Sequence, residues 1–134
     1  MKKRAPRKLE DKNIPQLKKK LDQVLSKWVR NIYSDGVYVT CYTCGKSLEF
    51  SEAHCGHWIP RTESPTRYDP RNVRLQDAAC NTFRSGMPHV FRENLVQEIG
   101  EDQVKELVEL SKQPWKWDRL WLIQRIRWFQ DDMG

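Results

Sequence analysis

Apolar residues recur at three- and four-residue spacing between residues 14 and 33, and this period predicts an amphipathic helix. The apolar stripe runs from Leu17 to Ile32, and lysines and arginines occupy much of the opposite side. The Asp35-Gly36 step is typical of a helix end. Residues 1–13 show no apolar period, so we expect a flexible basic arm there, followed by a helical segment over 14–36.

The middle of the chain has shorter, β-prone runs. Residues 37–40 predict a strand, and residues 48–60 predict a hairpin or irregular strand pair with its turn near Ser51-Glu52. Prolines make residues 61–71 a loop, and a short helix is expected over about 77–84. Together these elements define a predicted core over residues 37–90.

Residues 91–134 return to a helical pattern, with three apolar stripes separated by breakers. Four of the six tryptophans lie between residues 115 and 128. Aromatic residues at helical spacing usually pack, so we interpret these as core residues, the alternative being a surface on which bases stack. The predicted fold class is therefore α+β, a small β-containing core flanked by an N-terminal helix and C-terminal helices.

The charge is distributed unevenly. The formal net charge is +6, but residues 1–34 alone hold eleven Lys or Arg against three acids. The arm fits either a phosphate-binding tail or a solvated tail, and its candidate DNA contacts are Lys2, Lys3, Arg4 and Arg7. No apolar run approaches the ~18 residues that span a bilayer, and no apolar segment follows the basic N-terminus, so a cytoplasmic protein is expected.

The cysteines indicate a metal site. Cys41 and Cys44 have zinc-knuckle spacing, and without a secretory signal metal binding is favoured over disulfides. Cys80 is the predicted third ligand and Asp77, three residues earlier, the predicted fourth. Two alternatives remain open, namely that Cys55 takes the fourth position or that no stable structural zinc binds.

A second constellation points to phosphodiester hydrolysis. His57 is the candidate general base, since a neutral imidazole has a suitable pKa for accepting a proton from water. Asn81 and His54 are candidate ligands of one catalytic cation, Mg²⁺ or Mn²⁺, which would steady the phosphate and the leaving oxygen. Asn72 is expected to orient the imidazole or the adjacent backbone. These four residues form the predicted catalytic site.

Arginines are frequent around this constellation, and guanidinium groups suit phosphate oxygens. We therefore expect DNA contacts from Arg61, Arg67, Arg71, Arg74 and Arg84.

The order of these motifs resembles the phage NinG (Rap) family of HNH-type recombination endonucleases. The resemblance rests on Cys41-x-x-Cys44-Gly, Gly56-His57, Arg67-Tyr-Asp-x-Arg-Asn-Val and Gln76-x-x-x-Cys-Asn, and it covers about residues 41–110. It implies a zinc-pinned ββα-metal (HNH) core, with His57 as base, Asn72 as the middle asparagine and Asn81 as metal ligand.

The resemblance also implies Cys41, Cys44 and Cys80 as zinc ligands, and it contains two departures. The family has a cysteine where this chain has Asp77, and an acid where this chain has His54. The implied activity is metal-dependent cleavage of branched DNA or Holliday junctions by a homodimer, in the cytoplasm of a phage-infected or prophage-bearing bacterium. The alternative is a non-catalytic, zinc-bearing nucleic-acid-binding module.

Overall fold

The first long helix, α1, spans Ile14–Tyr33 in a computed structural model that describes residues 8–134. Asn13 caps it, because its side chain accepts a hydrogen bond from the Gln16 backbone and the Gln16 side chain accepts one from Asn13 in return. The helix predicted over 14–33 is confirmed. The proposed DNA contacts of Lys2, Lys3, Arg4 and Arg7 lie outside the described residues.

The main core forms between α1 and the last helix, α4, which spans Arg119–Asp132. On α1 the buried side chains are Leu17, Leu21, Val24, Leu25, Trp28 and Val29, and on α4 they are Leu122, Ile123, Ile126 and Phe129. The Trp28 indole also donates to Asp132 at 2.7 Å. The two ends of the described chain therefore share one core.

Two small antiparallel sheets lie between these helices. Strands β1 (Tyr38–Thr40) and β2 (Ser47–Glu49) form the first sheet, and β3 (His54–His57) and β4 (Val73–Gln76) form the second. The hairpin predicted over residues 48–60 is wrong, since β2 and β3 belong to different sheets. A 3₁₀ turn between them redirects the chain, and β4 was missed because all four of its side chains are buried and show no alternation.

The segment after β3 is a loop with two 3₁₀ turns, which agrees with the predicted loop. The helix predicted over 77–84 is a single π-helical turn, Ala79–Phe83. Helix α2 (Pro88–Ile99) follows Met87, and Gly100, at φ +92°, joins it to α3 (Glu101–Ser111). A second cluster of Phe91, Leu95 and Val104 packs these two helices together.

The domain is thus mixed α+β, as predicted. The expectation that the C-terminal tryptophans are core residues holds in part, because Trp117 and Trp121 are half-buried against the core whereas Trp128 is 46% exposed. Among residues 8–134, no helix combines the length and apolar character that a membrane crossing requires.

Candidate functional site

The turn between β1 and β2 forms the cysteine knuckle. Gly45 donates its backbone N–H to the Cys41 carbonyl at 3.0 Å and adopts φ +77°, a conformation that glycine enters without a steric cost. Cys41 donates its own N–H to Lys46, and Tyr42 donates to the Leu75 carbonyl in β4. The knuckle is therefore attached to the second sheet and held over the start of the π-helical turn.

This attachment gathers the four predicted structural ligands. The ligand atoms of Cys41, Cys44, Asp77 and Cys80 all lie within 4.8 Å of one another. A tetrahedral ion about 2.3 Å from each sulfur holds its sulfurs about 3.8 Å apart, so a small contraction would close the site around zinc. The donor set and its spacing therefore fit a metal ion such as zinc.

Asp77 is bound into the cluster by both carboxylate oxygens. Oδ1 accepts from the Cys80 backbone N–H at 2.8 Å, and Oδ2 accepts from the Cys44 thiol at 2.9 Å. The bond from Cys44 lowers the pKa of Asp77 to about 2, and the same bond raises the pKa of the thiol to about 12. A bound cation would take the place of that thiol proton, as ligation by thiolate requires.

Cys55 lies elsewhere and is not part of this cluster. Its side chain shares a small pocket with Asp22, Leu25 and His57, and burial raises the pKa of its thiol to about 12. Of the two fourth ligands considered for the zinc site, the geometry favours Asp77.

His57 lies on the same side of β3 as Cys55, facing α1. Its Nε2 is 2.9 Å from the Arg67 carbonyl oxygen, which can only accept, so Nε2 carries the proton and Nδ1 the lone pair. Burial lowers the pKa of His57 to about 4, with Arg61 adding to the effect. The ring is therefore neutral at pH 7 and fixed as one tautomer.

His54 contacts Asn81. The His54 Nδ1 and the Asn81 side-chain amide nitrogen are 3.4 Å apart, at the opposite end of β3 from His57. Successive side chains of a strand alternate between its faces, so His54 and His57, three residues apart, point to opposite sides of the sheet. The prediction treated both histidines as members of one cluster, and the pleat of β3 separates them.

Asn72 is fully buried and bonds to backbone. Its Oδ1 accepts from the Ile59 N–H at 2.8 Å, and its amide donates to the carbonyls of Ile59 and Thr66. Of the two roles considered for it, bonding to the adjacent backbone is the one observed. Asn72 thus fixes the loop that carries Arg67, and through Arg67 the ring of His57.

The five arginines differ in their surroundings. Arg74 is wrong as a DNA contact, since its side chain is 3% exposed and pairs with Glu98 at 3.1 Å. Arg71 is engaged in a two-pronged bond with Asp69, and Arg67 pairs with Asp22 at 2.8 Å. The two more exposed arginines are Arg61 and Arg84. Arg61 lies 3.4 Å from the Asp22 carboxylate, and Arg84 donates a hydrogen bond to the Cys80 sulfur.

Two residues of this region were not anticipated. Asp22 holds Arg61 and Arg67 beside His57, and the available signal was that it is the one acid in the lysine-rich sequence of α1. Gln76 is fully buried between the sheets, where it donates to Thr43 and Gly86. Gln76 opens one of the motifs that carry the resemblance, but that motif does not indicate that its side chain is buried.

Comparison with known proteins gives one family. The family model described as "Bacteriophage Lambda NinG protein" matches residues 1–133. "Protein ninG" of Escherichia phage 933W is 29% identical over 90 residues, 66% of this chain and 43% of that protein. Those of Escherichia phage lambda and Salmonella phage P22 are 28% and 29% identical over 90 residues, again 66% of this chain and 42% of each relative.

The chain thus spans less than half the length of the curated relatives that it matches. No solved structure gives a significant match.

Proposed function

The chain belongs to the bacteriophage lambda NinG family, and from that premise we propose that it is a metal-dependent endonuclease of the HNH type that hydrolyses DNA. One observation carries the proposal. His57 presents a neutral imidazole of fixed tautomer beside two arginines, within an antiparallel strand pair that leads into a helical turn anchored by the Cys/Asp cluster.

The imidazole is suited to proton transfer. With Nε2–H committed to the Arg67 carbonyl, Nδ1 is free to accept a proton from an attacking water. The low pKa of His57 would make it a weak base on its own. An anionic phosphate held by Arg61 would favour the imidazolium form and raise that pKa towards neutrality when substrate binds.

His54 and Asn81 would hold the catalytic cation. Amide nitrogen and oxygen are exchangeable by a flip of the side chain, so Asn81 can offer its carbonyl oxygen beside His54 Nδ1. Two protein ligands leave room for water and phosphate oxygens, as Mg²⁺ and Mn²⁺ sites require. When bound, the cation supplies positive charge at the leaving oxygen.

In an in-line displacement, the attacking water and the leaving oxygen lie on opposite sides of the phosphorus. The base that serves the water and the ligands that serve the leaving oxygen therefore do not need to touch. His57 and the pair of His54 and Asn81 lie at opposite ends of β3 and on opposite sides of its sheet, so the proposal requires the substrate phosphate to bring the two groups to one reaction. Loss of cleavage in both His57→Ala and Asn81→Ala is the result that this requirement predicts.

Branched DNA is the proposed substrate, on the strength of the resemblance to recombination endonucleases. Cutting a four-way junction symmetrically needs two active sites, so the proposed active form is a homodimer in the bacterial cytoplasm. The structural ion is proposed to be zinc, held by Cys41, Cys44, Asp77 and Cys80.

The test is cleavage of linear, flapped and four-way DNA with Mg²⁺ or Mn²⁺. We expect branched substrates to be cut by the wild type and not by His57→Ala, His54→Ala or Asn81→Ala. His89→Ala is the matched control, since His89 is an exposed histidine of α2 to which the proposal gives no role. Wild-type cleavage by His57→Ala would refute the assignment of the base.

A non-catalytic DNA-binding module is the second candidate. It is favoured by the bond between His57 and a backbone carbonyl, which a histidine with a packing role would also make. In that case the wild type would bind branched DNA and leave it uncut with every divalent cation tested.

A further inference from the structure

The outer side of α4 carries two tryptophans with an arginine between them. Trp121, Arg125 and Trp128 are four and three residues apart, so they fall along one stripe of the helix. The core is contacted by a different stripe, which includes Leu122 and Phe129. Trp128 is 46% exposed and offers ring surface to solvent, whereas Trp121 is half-buried.

These residues form an open groove of about 350 Å³, which Gln124 also lines. The Arg125 guanidinium lies 4.9 Å over the Trp121 ring. Both indoles are fixed from behind, since Trp121 packs against a cluster that includes Trp117, and Trp128 packs edge-on against Phe129. The groove therefore has aromatic walls that are already ordered.

We propose that this groove binds an unpaired base of a DNA strand. Indole faces stack on bases of any sequence, and the Gln124 amide provides a donor and an acceptor for a base edge. Arg125 provides a positive charge for the adjoining phosphate, and no carboxylate of residues 8–134 lines the groove. Helix α4 itself carries three arginines and two aspartates, so its own charge is also positive.

The inference rests on the proposed function in taking DNA as the partner. Fully paired DNA keeps its bases stacked and out of reach, whereas a branch point exposes bases that can leave the stack. The groove would therefore add affinity for branched or single-stranded DNA and little for a linear duplex. It assigns a substrate-selecting role to α4, separate from the histidines of β3.

The experiment measures the affinity of labelled oligo(dT) and of a linear duplex without added divalent cation. We expect Trp128→Leu to raise the Kd for oligo(dT) about fivefold or more, since fivefold corresponds to the weakest stacking of one base on an aromatic ring. The Kd for the duplex should change less than twofold. Trp128→Phe should retain most of the affinity. Leu120→Ala is the control on the same helix, because Leu120 is 60% exposed and outside the groove.

Arg125→Gln supplies a second variant should Trp128→Leu fail to fold, and it too should weaken oligo(dT) binding. Unchanged oligo(dT) affinity in the folded variants would overturn the inference, as would an equal loss for duplex and single strand. A change confined to self-association would assign the groove to a protein contact instead. Failure of the proposed function appears separately, as branched DNA left uncut by a wild type that still binds oligo(dT) through Trp128.

Discussion

At the scale of single residues, Gly56 is required by the side chain beneath it. A Cβ at this position would lie 1.9 Å from Gln76 Oε1, and the amide of Gln76 cannot withdraw without breaking its bonds to Thr43 and Gly86. We expect Gly56→Ala to lower the free energy of unfolding by about 1–3 kcal/mol, as overpacked cores do. Denaturant titration of the purified variant would measure it.

A double-mutant cycle identifies the cause. Gln76→Ala removes the obstructing amide, so adding Gly56→Ala to that variant should cost much less than it does in the wild type. Equal costs in both backgrounds would show that the clash with Gln76 is not what makes glycine necessary.

The depressed pKa of His57 makes stability depend on pH. Burial holds it at about 4 in the folded protein against an ordinary 6.5, so between these values the unfolded chain binds more protons. The free energy of unfolding is therefore highest above pH 6.5, where His57 is neutral in both states. It falls as the pH decreases towards 4, by about 3 kcal/mol in total. We expect His57→Gln to flatten this part of the stability profile.

The exposed histidine His89 controls for the general effect of acid. In His89→Gln, the free energy of unfolding should fall between pH 6.5 and 4 as steeply as it does in the wild type. If His57→Gln and the wild type have parallel profiles, the imidazole of His57 titrates normally and is not buried in solution.

At the scale of secondary-structure elements, the knuckle should depend on its ion. Cys44→Ser removes one of the four clustered ligands, so we expect the purified variant to lose most of its bound zinc and to melt at a lower temperature. Cys55→Ser is the matched control, because it alters a cysteine outside the cluster and should retain about one zinc per chain. Metal analysis and thermal melting of both variants measure this.

Loss of zinc from Cys55→Ser as well as from Cys44→Ser would show that Cys55, and not Asp77, is the fourth ligand. A wild type that contains no zinc and is stable in chelator would show that the cluster has another role.

The elements also differ in how far the sequence alone predicts them. Helix α1 was predicted with its bounds, because its long apolar period is a local signal. Strand β4 was missed, because burial of both faces removes the alternation and its partner β3 lies far away in sequence. A pairing of that kind is decided by tertiary contacts.

The candidate site, too, was predicted where local spacing decides it and missed where tertiary contacts decide it. The four candidate metal ligands were predicted from the short spacings Cys41–Cys44 and Asp77–Cys80, and the structure brings these two pairs together. Strand alternation predicts that His54 and His57 face opposite sides of the sheet. The order of the motifs alone had suggested one cluster. Arg74 is buried in contact with Glu98 of α2, and no local sequence pattern predicts that contact.

At the scale of the whole molecule, the start of the described chain is attached to α4. Arg119 donates to the Lys12 carbonyl at 2.7 Å, and Arg127 pairs with the Glu10 carboxylate. Removing residues 1–12 would therefore disturb the α4 surface as well as the basic arm. Removing residues 1–7 deletes Lys2, Lys3, Arg4 and Arg7 and leaves those contacts in place.

We expect the deletion of residues 1–7 to weaken DNA binding and to leave turnover at saturating DNA unchanged, since His57 and Asn81 are untouched. For each phosphate that the shortened protein no longer neutralises, the dependence of log affinity on log salt should flatten by about 0.9 on duplex DNA. DNA titrations at several salt concentrations measure this dependence. The protein that lacks residues 1–12 is the comparison, and we expect it to melt at a lower temperature. An unchanged slope would mean that the arm binds no phosphate, and the duplex would then be held by Arg61, Arg84 and the lysines of α1.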